Sequence, residues 1–285
     1  MKTHRLNRRQ FFHTGLAGSA ALAAASLPGA ALGAVTKAAR EPFDGLKLGM
    51  ASYTLRKFSL EEVIVVMQKA GVKYVSLKDF HLPMKSTTEQ RRKTRVQLEA
   101  AGITLISAGV INMAKESDIP AAFEYAKDAG IPTIVCSPEP ELLDTLEKNV
   151  KEYDIRAAIH NHGPGDKRFP SPFDVMALVK NRDARVGLCI DVGHTVRIGV
   201  DPVAAIDQCS SRLYDFHLKD VTAPNAEGKP TEVGRGVIDI VAVLKTLLDK
   251  KYAGHVGLEY EANPDAPVPG VMESYAYIRG VLAAT

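Results

Sequence analysis

The stretch that indicates the fold lies at 186–194 and reads Val-Gly-Leu-Cys-Ile-Asp-Val-Gly-His. Its first five residues are apolar on both sides of an extended chain, as are the residues of Thr-Ile-Val-Cys at 133–136. Strands of a parallel sheet that is covered by helices have this composition. Polar residues, Asp191 and His194, follow where the strand is expected to end. The stretch therefore predicts a β/α fold with chemically useful side chains at a strand end.

Short apolar runs alternate with longer amphipathic segments along the chain, which gives eight strand–helix pairs. The predicted strands are 47–53, 74–79, 104–111, 133–137, 156–160, 186–191, 213–218 and 255–260. The predicted helices are 59–70, 88–101, 119–129, 141–153, 172–180, 203–209, 238–250 and 271–282. The first of these helices begins with the capping-box pattern Ser59-Leu-Glu-Glu62. Eight units in about 250 residues favour an α/β fold consisting of a single (β/α)8 TIM barrel.

The N-terminal residues have a different character. Arg8 and Arg9 are followed by two phenylalanines and by an uncharged run rich in Ala and Gly. This pattern is typical of a Tat export signal, so we assign residues 1–34 to a signal peptide and 35–285 to the barrel. The prediction places the protein in the periplasm or outside the cell. A membrane anchor is less favoured because the run is mostly Ala and Gly and contains Pro28.

Charge and cysteine content exclude several classes of protein. The formal net charge is +3, and residues 1–34 hold four cations and no acid, which leaves about −1 for the remainder. A nucleic-acid binder usually keeps a basic surface, so no nucleic-acid partner is expected. Cys136, Cys189 and Cys209 are too few and too widely spaced for a disulfide framework. The first two lie in apolar strands, which predicts buried thiols.

Four consecutive predicted strands carry metal-type ligands at or near their ends: His160, Asp191, His217 and Glu259. Barrel enzymes hold their active sites at the C-terminal strand ends, and neighbouring strands are roughly 4.8 Å apart. Each residue alone is more often a surface or turn residue. Together, however, the four side chains can converge on one ion about 2.0–2.3 Å from each ligand atom.

The motifs that contain these residues resemble those of the xylose isomerase-like TIM-barrel superfamily, which includes sugar phosphate isomerases/epimerases and endonuclease IV. They are Asp-Val-Gly-His at 191–194, His-Leu-Lys-Asp at 217–220, Gly-Arg-Gly at 234–236, and Glu259. The resemblance extends over the whole chain after residue 34. It implies a sugar isomerase or epimerase with a metal bound by a Glu, an Asp, a His and a Glu from successive strands. Three of these positions are Asp191, His217 and Glu259.

The remaining position departs from the family pattern. Where the family reads Glu-Asn-His, this chain reads His160-Asn161-His162, so His160 replaces the first Glu. With His160 as a ligand, the site has two imidazoles and two carboxylates. That set favours Mn²⁺, Co²⁺ or Zn²⁺ over Mg²⁺. Glu139, which lies between two prolines after the fourth strand, is a lower-ranked substitute.

The replacement of the first Glu by His160 affects which reaction is expected. The resemblance implies two opposed Glu bases beside a substrate carbonyl that the metal polarises, and His160 and Glu259 stand at those positions. One carboxylate base and one imidazole suit removal of a proton and protonation of a leaving group. A sugar isomerase or epimerase is the primary interpretation. A lyase or dehydratase that performs β-elimination or hydration on a keto sugar or glycoside is the close alternative, towards which this chemistry leans slightly.

Export favours a non-phosphorylated carbohydrate as the substrate, because phosphorylated sugars are mainly cytoplasmic and the sequence offers no P-loop. Lys78 is a candidate for proton transfer, or it forms a surface turn with Asp79. The candidate substrate contacts are His81, His162, His194, Lys219 and Arg235. Arg235 either clamps an oxyanion or pairs with Glu232.

Two other classes of protein remain. The first is a non-catalytic periplasmic sugar-binding barrel with a vestigial metal site, which a metal assay independent of activity would distinguish. The second is an abasic-site endonuclease, which would need further ligands on the first three strands and a basic face. The first three strands supply few such ligands and the charge after residue 34 is slightly negative, so the endonuclease ranks low. The oligomeric state stays open, and a homo-oligomer is compatible with the sequence.

Overall fold

A computed structural model describes Phe43 and residues 45–285, so the predicted export signal at 1–34 lies outside the described residues. Eight parallel strands close into a barrel in the order β1-β10-β7-β6-β5-β4-β3-β2. These strands are β1 Lys47–Ala51, β2 Tyr74–Leu77, β3 Thr104–Met113, β4 Thr133–Pro138, β5 Arg156–His160, β6 Val186–Asp191, β7 Leu213–Leu218 and β10 His255–Leu258. The prediction of a single (β/α)8 barrel is confirmed.

Helices cover the outside of the barrel. They are α1 Leu60–Ala70, α2 Thr88–Ala100, α3 Asp118–Ala129, α4 Leu143–Tyr153, α5 Pro172–Val179, α6 Val192–Arg197, α7 Pro202–Cys209, α8 Ile240–Asp249 and α9 Val268–Ala284. The capping box before α1 is confirmed, because the Ser59 side chain accepts the Glu62 N–H and the Glu62 side chain accepts the Ser59 N–H. Among the residues that the structure describes, no helix has the length and hydropathy needed to span a bilayer.

Three features differ from the sequence prediction. The strand predicted at 47–53 ends at Ala51, because Ser52–Leu55 turns into a 3₁₀ helix. The helix α6 was not predicted; it starts directly after β6, where the Asp191 carboxylate accepts the His194 N–H and caps it. A small antiparallel pair, β8 Asp220–Val221 and β9 Pro230–Thr231, was also missed because two-residue strands show no periodicity.

The Gly-Arg-Gly motif is explained by the loop that leads into α8. The Asp220 carboxylate accepts the backbone N–H groups of Gly234 at 3.0 Å, Gly236 at 2.9 Å and Ile238 at 3.2 Å. A Cβ atom on Gly236 would lie 2.1 Å from Asp220 Oδ1. Glycine is therefore required there so that the backbone can approach the carboxylate. The motif anchors a loop beside the barrel mouth.

Candidate active site: a buried His/Asp/Glu centre

The four predicted metal ligands converge at the C-terminal mouth of the barrel. His160 ends β5, Asp191 ends β6, His217 lies in β7 beside Asp191 in register, and Glu259 follows β10. All four side chains are buried. One ligand atom from each residue lies within 4.8 Å of the ligand atoms of the other three. The structure thus brings the predicted set together.

The geometry fits a divalent ion. His160 Nε2 lies 3.1 Å from His217 Nδ1 and 3.5 Å from Asp191 Oδ2, and His217 Nδ1 lies 3.1 Å from Glu259 Oε2. Asp191 Oδ2 is buried and accepts no hydrogen bond of regular geometry, and the Lys219 ammonium group lies 2.9 Å from it as an ion pair. The same oxygen faces the imidazole of His160 and can coordinate a cation there. The two-imidazole, two-carboxylate set suits Mn²⁺, Co²⁺ or Zn²⁺.

Lys219 completes the charge balance of this centre. Its Nζ lies 2.9 Å from Asp191 Oδ2 and 2.8 Å from a carboxylate oxygen of both Glu259 and Glu261. The side chain is buried and does not line the central cavity. Three carboxylates hold its ammonium group, and the substrate contact predicted for Lys219 stays a prediction. With His217 neutral, as a metal ligand must be, one ammonium against three carboxylates leaves two negative charges, which a divalent ion would balance.

The electrostatics favour ligands that are ready for a metal. Burial lowers the pKa of His160 to about 3, which outweighs its interaction with Asp191. Burial alone would raise the pKa of Asp191, but the charges of His194 and Lys219 hold it well below its usual range. His217 and Lys219 do the same for the pKa of Glu259. At neutral pH three of the four ligands, the two carboxylates and the neutral His160 imidazole, are therefore in the protonation states that metal binding requires. Although burial opposes it, Cys189 and Glu259 raise the pKa of His217 well above its usual range, so His217 loses a proton when it binds a metal.

A cavity of about 220 Å³ opens above the centre. It is lined by Tyr53, Lys78, Val110, His160, His162, His194, Glu259 and Glu261. The structure thus places the predicted residues Lys78, His162 and His194 at the cavity. Sequence reasoning missed Tyr53, Val110 and Glu261. Only Glu261 carried a signal, because it stands two residues after Glu259.

The hydroxyl group of Ser52 contacts two of the predicted site residues, Lys78 and His81. It accepts the Lys78 backbone N–H at 2.8 Å and lies 2.9 Å from His81 Nδ1. The second His81 nitrogen contacts the Phe58 carbonyl at 3.0 Å, and this buried ring is not among the residues that line the central cavity. The substrate contact predicted for His81 stays a prediction. Lys78 instead reaches the cavity, and its Nζ donates to the Val110 carbonyl.

Two further candidates lie away from the centre. Arg235 is exposed, and its guanidinium pairs with the Glu273 carboxylate, with 2.8 Å between Nη2 and the nearer oxygen, rather than with Glu232. Glu139 pairs with Arg168 at 3.1 Å and is not among the clustered ligands. His160 therefore keeps the fourth ligand position.

Asn161 is a positioning residue that the sequence did not single out. Its side-chain oxygen accepts the Asp191 N–H at 2.9 Å, and its amide donates to the Thr195 hydroxyl at 3.2 Å. Because these bonds join the end of β5 to the end of β6, Asn161 fixes the spacing between His160 and Asp191. This gives the middle residue of the His-Asn-His motif a structural role.

Fold and site together define a parallel barrel with a buried, metal-type centre at its mouth. The chain belongs to the xylose isomerase-like TIM barrel family, whose model matches residues 35–280. It is 26% identical over 155 residues to an inosose dehydratase of Clostridium beijerinckii, a match that covers 48% of this chain and 51% of that protein. The chain thus spans about half the length of the relatives that it matches in sequence.

Solved structures show the same fold. The E. coli 3-keto-D-glucoside 4-epimerase is 15% identical with a TM-score of 0.69, and the match covers 82% of this chain and 99% of that one. The IolI protein, solved with a zinc atom, is 16% identical with a TM-score of 0.69, and the match covers 84% of this chain and 99% of that one. At these identities the similarity establishes the architecture.

Proposed function

We propose that the protein is a metal-dependent enzyme that removes a proton beside the carbonyl group of a non-phosphorylated keto sugar and then eliminates a β-substituent, as a lyase or dehydratase. The observation that carries the proposal is the asymmetry of the cavity. The ionised carboxylate of Glu259 and the amine of Lys78 both line it, whereas His160 takes the position of the opposing Glu base. Isomerisation or epimerisation by the same centre is the second candidate.

The metal centre would be formed by His160, Asp191, His217 and Glu259. A divalent ion bound there supplies polarisation of the substrate carbonyl and stabilises the negative charge that develops when the neighbouring proton leaves. The zinc atom in the IolI structure supports a metal in this fold. The convergence of four buried ligand side chains supports it in this chain.

Proton removal is assigned to Glu259. Its carboxylate is ionised at neutral pH because the charges of His217 and Lys219 outweigh the effect of burial on its pKa. It lines the cavity and can take the proton from the carbon beside the carbonyl. The two electrons of that C–H bond then form the new carbon–carbon double bond as the bond to the leaving oxygen breaks.

The leaving oxygen requires a proton, and we assign its donation to Lys78, which lines the cavity. Burial lowers the pKa of the Lys78 amine, although Glu259 and Asp79 partly oppose this. A lysine with a lowered pKa is a better proton donor near neutral pH than a lysine in water. The products would be an unsaturated keto sugar and an alcohol or water, with no other reactant consumed.

A non-phosphorylated substrate is supported by the charges at the cavity. Among the described residues that line the cavity, Lys78 is the single lysine or arginine. The ammonium group of Lys219 is held by carboxylates. A phosphate would need more donors or cations than this. Two relatives carry names that refer to an inosose and to a 3-keto-D-glucoside. These names support a keto sugar as the substrate class.

Epimerisation is the weaker candidate because it needs two bases on opposite faces of one carbon. His160 is buried, and desolvation lowers its pKa to about 3, so its imidazole is a poor base in the absence of the metal. His162 and His194 line the same cavity and keep the second candidate open.

Reaction in D₂O distinguishes the two candidates. Metal-loaded enzyme is incubated with 3-keto glycosides and with free sugars, and the products are followed by NMR. Elimination predicts an unsaturated keto sugar and a released alcohol, both absent with Glu259→Gln. Interconversion of two saturated sugars, with one deuteron at the inverted carbon, would refute elimination and support the epimerase. Binding of sugars without turnover would instead indicate a non-catalytic barrel.

We also propose export through the Tat pathway to the periplasm or beyond. This rests on the Arg8-Arg9 pair and the uncharged run after it. A folded export route suits a protein that must acquire its metal before it leaves the cytoplasm.

A further inference from the structure

Cys189 approaches the two histidines of the centre from inside the barrel. It stands two residues before Asp191 in β6, so both side chains point to the same side of the strand. Its register partner on β5 is His160. The sulfur atom and one nitrogen from each of His160 and His217 lie within 4.8 Å of one another, and all three residues are buried.

We propose that Cys189 is a metal ligand at the floor of the site. The Cys189 thiolate and the imidazoles of His160 and His217 form a second position for a soft divalent ion such as Zn²⁺ or Co²⁺, on the inner side of the position that uses Asp191 and Glu259. Both positions share the two imidazoles, so they are alternatives for one ion. The proposal rests on the imidazole pair of the metal centre proposed above.

The position with the Cys189 thiolate and the position with the Asp191 and Glu259 carboxylates should prefer different metal ions. Thiolate ligands select soft ions, whereas carboxylates suit harder ions such as Mn²⁺. On binding, the thiol proton leaves to solvent and the sulfur donates an electron pair to the ion. Coordination to a metal ion deprotonates a thiol outright.

Cys136 provides a matched control. It is fully buried on β4, the strand next to β5. Its register partner is Ile159, however, so it points to the opposite side of the sheet from Cys189. Cys189 packs with Val135 and Ala158 inside the barrel. Replacement of Cys136 therefore tests the loss of a buried thiol without the loss of a candidate ligand.

Cobalt spectroscopy tests the proposal without reference to activity. Chelator-treated protein is titrated with Co²⁺ under reducing conditions. Wild type and Cys136→Ser should show a sulfur-to-cobalt charge-transfer band in the near ultraviolet, which Cys189→Ser should lack while still binding Co²⁺. The preference for Zn²⁺ over Mn²⁺, measured by competition, should fall roughly 10-fold or more in Cys189→Ser.

The outcomes separate this proposal from the metal centre itself. Wild-type protein that binds Co²⁺ without the sulfur band would overturn the floor ligand and leave the main site intact. Persistence of the band in Cys189→Ser would also overturn it. Failure of the wild type to bind Co²⁺ would refute both. Since the wild-type spectrum alone can refute the floor ligand, the test does not depend on the variant folding.

Discussion

Replacement of Lys219 by methionine tests the charge balance of the centre. The lysine side chain is 3% exposed, and its ammonium contacts Asp191, Glu259 and Glu261 at 2.8–2.9 Å. Methionine keeps most of the apolar volume and removes the charge. In the metal-free protein, the variant leaves the three carboxylates without the cation that they share.

The size of the effect follows from these distances. Two unit charges 2.8 Å apart interact with roughly 6 kcal/mol at an effective dielectric constant of 20. Much of that attraction offsets the cost of taking the charges out of water. Removing one partner of a buried ion pair costs about 3–5 kcal/mol, so metal-free Lys219→Met should lose that much free energy of unfolding. For a barrel of this size the loss lowers Tm by roughly 10 °C.

Urea unfolding of chelator-treated protein, with and without added Mn²⁺ or Zn²⁺, measures the effect. Metal should stabilise Lys219→Met more than wild type, because the ion supplies the positive charge that is missing. Lys57→Met is the control: its pair with Asp265 is exposed, so a change within about 0.5 kcal/mol is expected. Equal stability of metal-free wild type and Lys219→Met would refute the charge balance.

The same variant has a defined pH dependence. In the wild type, Lys219 helps to hold the pKa values of Asp191 and Glu259 below their usual range. Their contribution to stability is therefore present above the unfolded-state pKa values and is lost as the pH falls through the folded-state values. Without Lys219 these carboxylates protonate more readily. The difference in stability between wild type and Lys219→Met should shrink as the pH is lowered from 7 towards 4.

Three further predictions concern catalysis, metal binding and export. Lys78→Met should retain its metal in elemental analysis but lose at least about 100-fold in kcat; full activity would remove Lys78 from the mechanism. In the wild type, kcat should decline with rising pH at a pH below the usual lysine pKa of 10.5, because the ammonium is the donor, and Lys78→Met should lack this decline. Asp191→Ala should lose metal while keeping the far-UV spectrum of the barrel, and collapse of the spectrum would make Asp191 structural instead. Changing both Arg8 and Arg9 to Lys should keep the precursor in the cytoplasm, uncut; arrival in the periplasm would contradict the Tat assignment.

The sequence was sufficient to predict the features of the site that follow from the order of the strands. His160, Asp191, His217 and Glu259 could be grouped because parallel strands present their C-terminal ends at one mouth. The apolar strand at 186–190 indicated a parallel sheet covered by helices, and the count of eight strand–helix units indicated its closure. These inferences need no knowledge of how side chains from distant segments meet.

What the sequence could not predict depends on contacts between distant segments. Lys219 stands two residues after His217, so its inward direction was readable, but its three carboxylate partners come from other strands. The Nδ1 atom of His81 lies within hydrogen-bonding distance of the Ser52 hydroxyl, which is 29 residues away in the sequence. Helix α6 has only six residues and is capped by Asp191 itself, so no apolar periodicity marked it.

Anomalous diffraction from crystals of Mn²⁺-loaded protein locates the bound ion without reference to a substrate. We expect one peak at the barrel mouth, about 2.0–2.3 Å from ligand atoms of His160, Asp191, His217 and Glu259. The same experiment with Asp191→Ala serves as the control and should show no peak there. A peak on another set of residues, or none in fully loaded wild type, would contradict the assignment of this centre.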